Sequence, residues 1–161
     1  MQKIYLCRHG ETAWTVSRQH TGKMDIPLTD KGKQQTALLR KQIESVHFET
    51  IFSSPRLRAL ESAQGLPAVI EPDLAEWDYG SYEGLTSEEI QKKTPNWNLF
   101  KDGALAGESP EAVAKRADRF LNRVHQVKGN VAVFSHGHFL RVLAARFLGW
   151  DVGLGKSLSL S

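Results

Sequence analysis

The chain lacks several features that would define its class at once. It has a single cysteine, Cys7, which excludes an internal disulfide framework and a cysteine-rich zinc site. One cysteine also fits a reducing compartment. No apolar run approaches the roughly 18 residues that a membrane-spanning helix requires, and no apolar leader segment follows Met1. We therefore expect a cytoplasmic protein that does not engage a membrane.

A strong charge of one sign is also missing, as are repeats and low-complexity segments. Lysine and arginine number 21 against 18 acidic residues, and the basic positions are scattered. They are not interleaved with aromatic residues in the way typical of nucleic-acid modules, so no nucleic-acid partner is expected. The mild positive charge favours a small anionic partner. The length of the chain predicts one domain over residues 1–161, and nothing in the sequence indicates an oligomeric state.

Apolar segments typical of strands alternate with amphipathic segments typical of helices. Strands are predicted at 3–7, 49–54, 68–72 and 130–135, and helices at 30–46, 56–65, 87–93, 110–127 and 138–149. The aromatic, glycine-broken stretch 73–85 and the stretch 101–107 are predicted to be loops. Alternation with fully apolar strands predicts a three-layer α/β/α sandwich with a mainly parallel sheet.

Basic side chains follow three of the predicted strands. Arg8 and His9 come directly after the first strand, Arg58 follows the second, and His136 and His138 follow the last. Ligands of parallel sheets bind outside the carboxyl ends of the strands, so these side chains are expected at one edge. Arginine remains cationic and its planar fork matches phosphate oxygens. The pattern therefore predicts a site for a phosphoryl group.

Histidine in such a site can do more than bind phosphate. A neutral imidazole is a nucleophile that can form a covalent intermediate, and fixed cations can neutralise the phosphoryl oxygens without a metal or other cofactor. A carboxylic acid is needed to protonate the leaving group, and both Glu76 and Asp78 are candidates. A metal site built from His9, His136 and His138 is the alternative, but neighbouring arginines disfavour a bound cation.

Five segments together resemble the histidine phosphatase superfamily, which has the phosphoglycerate-mutase-like fold. They occur in the order of that family, between residues 4 and about 149: RHGET, TGKMDIPLTDKGKQQ, SSPRLRALESA, EWDYGSYEG and SHGHFLR. The resemblance implies that His9 is the nucleophile that becomes phosphohistidine, and that Glu76, rather than Asp78, is the proton donor. It further implies that the phosphate pocket is formed by Arg8, Arg58 and His136. The substrate contacts that it implies are Thr21, Gly22 and Tyr79.

Three positions depart from the commonest form of the family. Thr15 stands where many members have asparagine, and is retained as a candidate substrate contact. His138 stands where mutases usually have asparagine and resembles the His-Gly-His variant of a sugar-phosphatase branch that includes sedoheptulose-bisphosphatase-like proteins. Arg56 is an additional cation that could hold a second anionic group. Elsewhere, His20 is expected in a surface loop, and Glu83 is expected to bond backbone groups of its own loop rather than act in catalysis.

The resemblance implies a phosphomonoesterase that acts on a small phosphorylated metabolite. Arg56, His138 and the acidic, aromatic loop favour a sugar phosphate or bisphosphate. Phosphoserine, fructose 2,6-bisphosphate and cobalamin-precursor phosphates are the alternative substrates. A cofactor-dependent phosphoglycerate mutase and a non-enzymatic binding protein are the alternatives. The short span 85–108 favours hydrolysis, because a mutase needs a cover that excludes water. Family members usually continue with a strand and a helix beyond the Gly/Ser-rich end seen here, so those two elements are expected to be missing.

Overall fold

A parallel sheet of four strands forms the centre of the protein. In the computed structural model, which describes residues 2–159, the strands are β1 (Ile4–Arg8), β2 (Thr50–Ser53), β3 (Ala68–Ile70) and β4 (Val131–Ser135). Their order is β1-β4-β2-β3, and each neighbouring pair is parallel. The carboxyl ends of the strands therefore meet at a single edge of the sheet.

Helices cover both faces of this sheet. Their bounds are α1 (Ala13–Val16), α2 (Asp30–Ile43), α3 (Leu57–Ser62), α4 (Ser87–Lys93), α5 (Leu99–Asp102), α6 (Pro110–Val124) and α7 (Gly137–Phe147). Short 3-10 helices occupy Pro72–Leu74, Gly80–Tyr82 and Val152–Ser157. This arrangement confirms the predicted α/β fold with its parallel sheet flanked by helices.

The alternating side chains of β4 separate the core into two parts. Val131 and Val133 belong to a large cluster that includes residues of α6 and α7, whereas Ala132 and Phe134 belong to a smaller cluster with Ile43 of α2. All five residues of β4 are buried, because the strand has a neighbour on each side and a helical layer on each face. A fully apolar strand sequence is what such a position requires.

Two helices of a single turn lie outside the predicted helices. The first, α1, is capped by Thr12, whose hydroxyl accepts the Thr15 N–H in a capping box. The second, α5, is capped by Asn98, whose side chain accepts the Phe100 N–H. One turn is too short to show an apolar periodicity, so only the capping residues carry a signal. The longer predicted helices are present, but α2 ends at Ile43 and α3 spans only six residues.

None of the helices found within residues 2–159 combines the length and the apolar character needed to pass through a bilayer.

Candidate active site

Two histidines lie side by side at the carboxyl edge of the sheet. Arg8 pairs with Ser135 at the ends of β1 and β4, so the next residues, His9 and His136, are brought together. The His9 N–H donates to the carbonyl oxygen of Ser135 at 3.0 Å, and the centroids of the two imidazole rings are 5.1 Å apart. The parallel pairing of two strands therefore places both histidines at one point.

The imidazole of His9 is held in one tautomer. Its Nδ1 lies 2.7 Å from the carbonyl oxygen of Gly10, and a carbonyl oxygen can only accept, so Nδ1 carries the proton and the Nε2 lone pair is free. Burial and the charge of Arg58 lower the pKa of His9 from 6.5 to about 3; the Gly10 hydrogen bond opposes this shift, and Arg8 adds to it. Near neutral pH this side chain is therefore an uncharged imidazole with an available nitrogen nucleophile.

The residue after His9 must be glycine because the chain passes close to the start of α2. A Cβ on Gly10 would lie 2.3 Å from the carbonyl oxygen of Gly32, and a Cβ on Gly32 would lie 2.1 Å from the carbonyl oxygen of Glu11. Both distances are far below a van der Waals contact. The paired glycines allow the turn after β1 to pack directly against α2, which fixes the position of the His9 backbone.

His136 is completely buried and is oriented by hydrogen bonds on both ring nitrogens. Arg58 donates from Nε to Nδ1 at 3.1 Å, so Nε2 carries the proton and donates to the hydroxyl oxygen of Ser54 at 2.7 Å. Burial, followed by the charge of Arg58, lowers the pKa of His136 well below 6.5. This imidazole is therefore neutral and fixed in orientation.

The guanidinium of Arg58 is also fully buried and connects His136 to a loop. Its Nη2 donates to the carbonyl oxygens of Thr21 and Gly22 at 2.8 and 3.2 Å, and its Nη1 donates to that of Met24 at 3.0 Å. From the other side, Glu83 accepts the backbone N–H groups of Gly22, Lys23 and Met24. Glu83 therefore bonds backbone groups as predicted, but those of a distant loop rather than of its own. The distant loop is held at both its N–H and its carbonyl groups.

A cavity of about 560 Å³ opens beside His9 at the sheet edge. Most of the residues predicted for the site line this cavity, namely Arg8, His9, Thr15, Thr21, Glu76, Tyr79 and His138. Four predicted residues are not in its lining, namely Gly22, Arg56, Arg58 and His136. Gly22 has its N–H and carbonyl groups engaged by Glu83 and Arg58, and Arg56 donates from Nη1 to the Lys23 carbonyl oxygen at 3.2 Å.

The carboxylate of Glu76 joins the cavity to the beginning of α7. Oε1 accepts the N–H groups of Trp77 and Phe139 at 2.8 and 2.9 Å, and Oε2 accepts the N–H of His138 at 3.1 Å. These bonds satisfy orphan donors in the first turn of α7 and hold the side chain in place, with 8% of the residue exposed. Within residues 2–159, the His138 N–H is the one hydrogen-bond donor found for Oε2, so this oxygen retains a lone pair that can carry a proton.

The rings of Tyr79, His138 and His20 form an aromatic part of the cavity lining. The hydroxyl of Tyr79 lies 2.6 Å from Nδ1 of His138, and the ring of His20 packs against Tyr79 with centroids 4.8 Å apart. Burial, followed by the charges of Arg141 and Arg8, lowers the pKa of His138 to about 3, while burial and Glu76 raise the pKa of Tyr79 well above 10. Both groups are therefore uncharged near neutral pH.

The expectation that His20 lies in a surface loop was wrong. This residue lines the cavity, and burial lowers its pKa to about 4. Its position immediately before Thr21 was the available signal. Arg141 was also missed, although it follows His138 by three residues on α7 and must share its face. Arg18 and Lys156 carry no local motif and reach the cavity only through the folding of distant segments.

Permanent positive charge dominates the cavity. Arg8, Arg18, Arg141 and Lys156 line it, whereas Glu76 is its only acidic lining residue among those the structure describes. In the same part of the chain, residues 2–159, no three histidine, cysteine, aspartate or glutamate side chains are grouped as metal ligands. The lining is therefore complementary to an anion with more than one negative charge.

The buried neutral imidazoles predict that acid destabilises the protein. The pKa values of His9 and His138 fall to about 3 from 6.5, so the unfolded chain binds more protons between these limits. The stability that the two neutral imidazoles contribute is fully present above pH 6.5 and is lost as the pH falls toward 3. We expect the free energy of unfolding, measured in urea, to decrease from pH 7 to pH 5, a range above the titration of ordinary carboxylates.

The His9→Gln variant isolates one of these groups. Below pH 6, its free energy of unfolding should fall less steeply with pH than that of the wild type. The two slopes should differ by about 1.4 kcal/mol per pH unit, because the variant lacks the imidazole whose protonation folding suppresses. Equal slopes in the two proteins would show that His9 titrates normally and would contradict the assigned neutral state.

Comparison with known proteins places this site in a family. The histidine phosphatase superfamily (branch 1) matches residues 4–161. An acid phosphatase of Mycobacterium tuberculosis is 37% identical over 98% of this chain and 81% of its own length; a sedoheptulose 1,7-bisphosphatase of Saccharomyces cerevisiae is 35% identical over 93% and 69%. The solved structure of a Mycobacterium tuberculosis open reading frame product superposes with a TM-score of 0.93 at 36% identity, covering 98% of this chain and 85% of that one. The chain therefore belongs to branch 1 of the histidine phosphatase superfamily, and it is a phosphatase of that family.

Proposed function

We propose that this phosphatase hydrolyses a small phosphate monoester through a phosphohistidine on Nε2 of His9, without a metal ion. The observation that carries the proposal is the hydrogen bond from Nδ1 of His9 to the Gly10 carbonyl oxygen, which leaves the Nε2 lone pair free beside a cationic cavity. Arg8 lines that cavity and would hold the transferred phosphoryl oxygens directly. Arg58 and His136 do not line the cavity; they bond each other, and Arg58 also holds the backbone of Thr21 and Gly22.

Two steps complete the reaction. In the first, Nε2 of His9 attacks phosphorus, the ester P–O bond breaks, and the leaving alkoxide takes a proton from the carboxylic acid of Glu76. In the second, water attacks the phosphohistidine while the Glu76 carboxylate accepts its proton, and the N–P bond breaks. Phosphate leaves, and both side chains return to their initial protonation states. Positive charge from arginine stabilises the phosphoryl oxygens in both transition states.

The expected substrate is a sugar phosphate or sugar bisphosphate. A cavity of about 560 Å³ suits a metabolite rather than a protein segment, and its wall carries hydrogen-bonding groups from Tyr79, Thr21 and His20. His138, in the His-Gly-His arrangement, supports a place in the sugar-phosphatase branch, to which the yeast sedoheptulose 1,7-bisphosphatase similarity also points. Thr15 lines the same cavity and is proposed as a further substrate contact.

Mutase activity is the second candidate, and the segment 85–108 disfavours it. A mutase must shield its phosphohistidine from water. Here α4, α5 and the segment between them direct Ile90, Trp97, Leu99 and Phe100 into the core, so much of this segment forms part of the domain rather than a separate cover. Water can then reach the intermediate, which favours hydrolysis over return of the phosphoryl group to substrate.

A screen of small phosphorylated metabolites tests the proposed function. We expect phosphate release from sugar phosphates or bisphosphates, and the rate should stay within about twofold when a chelator is added, because arginine rather than a metal supplies the charge. Activity that disappears with the chelator and returns with a divalent cation would contradict the mechanism. Interconversion of 2- and 3-phosphoglycerate that outpaces phosphate release would establish the mutase alternative instead.

A further inference from the structure

The cavity contains more cationic side chains than one phosphoryl group requires. Arg8 adjoins the nucleophile and accounts for one of them. Arg141 lies on α7 three residues after His138, and Lys156 comes from the last 3-10 helix of the described chain. These two side chains are brought to the same cavity by separate elements, and neither takes part in the two chemical steps.

Arg141 is anchored, yet part of its guanidinium remains available. Its Nε donates to the Gly155 carbonyl oxygen at 3.0 Å, its Nη2 donates to the Lys156 carbonyl oxygen, and the group lies over the Phe100 ring at 4.7 Å. Among residues 2–159 no hydrogen-bond acceptor is found for Nη1. The planar group is thus fixed in position with one nitrogen left to bind a ligand.

The charge of Arg141 also lacks a partner in the described part of the chain. No carboxylate within residues 2–159 forms an ion pair with it or with Lys156. Partial burial lowers the pKa of Arg141, and the carboxylate of Glu76 offsets this shift only in part. A partly desolvated cation without a counterion is costly unless a ligand supplies the negative charge.

We propose that Arg141 and Lys156 form a second anion subsite, which selects substrates that carry a phosphate or carboxylate group in addition to the phosphoryl group that is cleaved. This inference rests on the proposed function, because it concerns the same cavity. The second anionic group of the substrate is thereby assigned to Arg141 rather than to Arg56. Arg56 is absent from the cavity lining and donates to the Lys23 backbone. A fork fixed by two backbone carbonyls can bind such a group with little loss of side-chain freedom.

Binding to the inert His9→Gln protein tests the subsite without requiring turnover. The ligand pairs are fructose 1,6-bisphosphate against fructose 1-phosphate or 6-phosphate, and 3-phosphoglycerate against glycerol 3-phosphate. We expect Arg141→Met to weaken the doubly anionic member of each pair about 10- to 100-fold, as for loss of a charge-assisted hydrogen bond, and the singly phosphorylated member less than about threefold. Weakening confined to the bisphosphate pair would identify phosphate as the group that the subsite binds. Weakening confined to the phosphoglycerate pair would identify carboxylate as that group.

Two further variants separate a subsite from a structural effect. Lys156→Met should weaken binding of the same ligands. It should leave the Arg141 contacts intact, since Arg141 bonds the backbone carbonyl oxygen of Lys156 and not its side chain. Lys92→Met removes one exposed charge on α4 and should change nothing. Equal weakening of all ligands by Arg141→Met, or no effect of either cavity variant, would overturn the subsite.

The same comparison in kcat/KM on the otherwise wild-type protein keeps the two proposals distinct. Turnover of p-nitrophenyl phosphate without preference for a second anion would reject the subsite and leave the phosphatase mechanism standing. Selective binding without turnover would reject the mechanism and leave the subsite standing.

Discussion

Replacing His9 with glutamine is expected to lower kcat by at least about 10,000-fold on every phosphoester that the wild type hydrolyses. Glutamine is close to histidine in length, and its amide can still donate to the Gly10 carbonyl oxygen, so the turn after β1 should keep its shape. What it lacks is a nitrogen lone pair that can attack phosphorus. Steady-state phosphate release, with substrate well above KM, measures the loss directly.

His47 provides the matched control. It is exposed, and its backbone carbonyl oxygen accepts a hydrogen bond from the Asn130 side chain, which the substitution leaves in place, so His47→Gln should retain full activity. Thermal unfolding at pH 7.5 should show both variants folded. A folded His9→Gln protein with undiminished phosphate release would mean that another group is the nucleophile.

Glu76→Gln should produce a loss whose size depends on the leaving group. Alkyl phosphates release a strongly basic alkoxide that needs a proton, so kcat/KM should fall by about 100- to 10,000-fold. The p-nitrophenolate ion leaves without protonation, and the loss should remain below about tenfold. Glutamine can keep its carbonyl oxygen at the position of Oε1, which preserves the bonds from Trp77 and Phe139 and limits damage to α7.

Asp78→Asn tests whether any nearby carboxyl would serve. Partial burial of Asp78 opposes ionisation, but the Lys23 ammonium at 2.7 Å and the Gly80 N–H lower its pKa, so it has no proton to give near neutral pH. This variant should show no dependence on the leaving group. If Glu76→Gln reduces alkyl and aryl phosphates equally, Glu76 positions α7 and does not transfer the proton.

The strand-end residues could be placed from sequence because their positions follow from the sheet. Continuous apolar segments identify parallel strands, and parallel strands end at one edge, so Arg8, His9 and His136 had to be close. Helix α6 could also be predicted from the sequence, since Ser109 caps it, Pro110 is its first residue, and a strongly amphipathic pattern follows. These features depend on local sequence and on one general rule of topology.

Which side chains face the cavity could not be read in the same way. Arg58 follows a strand end, but its guanidinium donates to three backbone carbonyl oxygens within the loop of residues 21–24. Lys156 is 147 positions from His9 in the chain, and no periodicity connects them. Such placements are set by tertiary packing and by the satisfaction of buried donors, which a single sequence does not display.

A rapid quench of the turning-over enzyme tests the central claim most directly. Wild-type protein is mixed with a phosphoester labelled on phosphorus, quenched in alkali within one turnover, and digested for peptide mapping. The account predicts an acid-labile, alkali-stable phosphoryl group on Nε2 of His9, and none on the His9→Gln protein. A wild type that turns over without forming this species, or that carries the label on any other side chain, would contradict it.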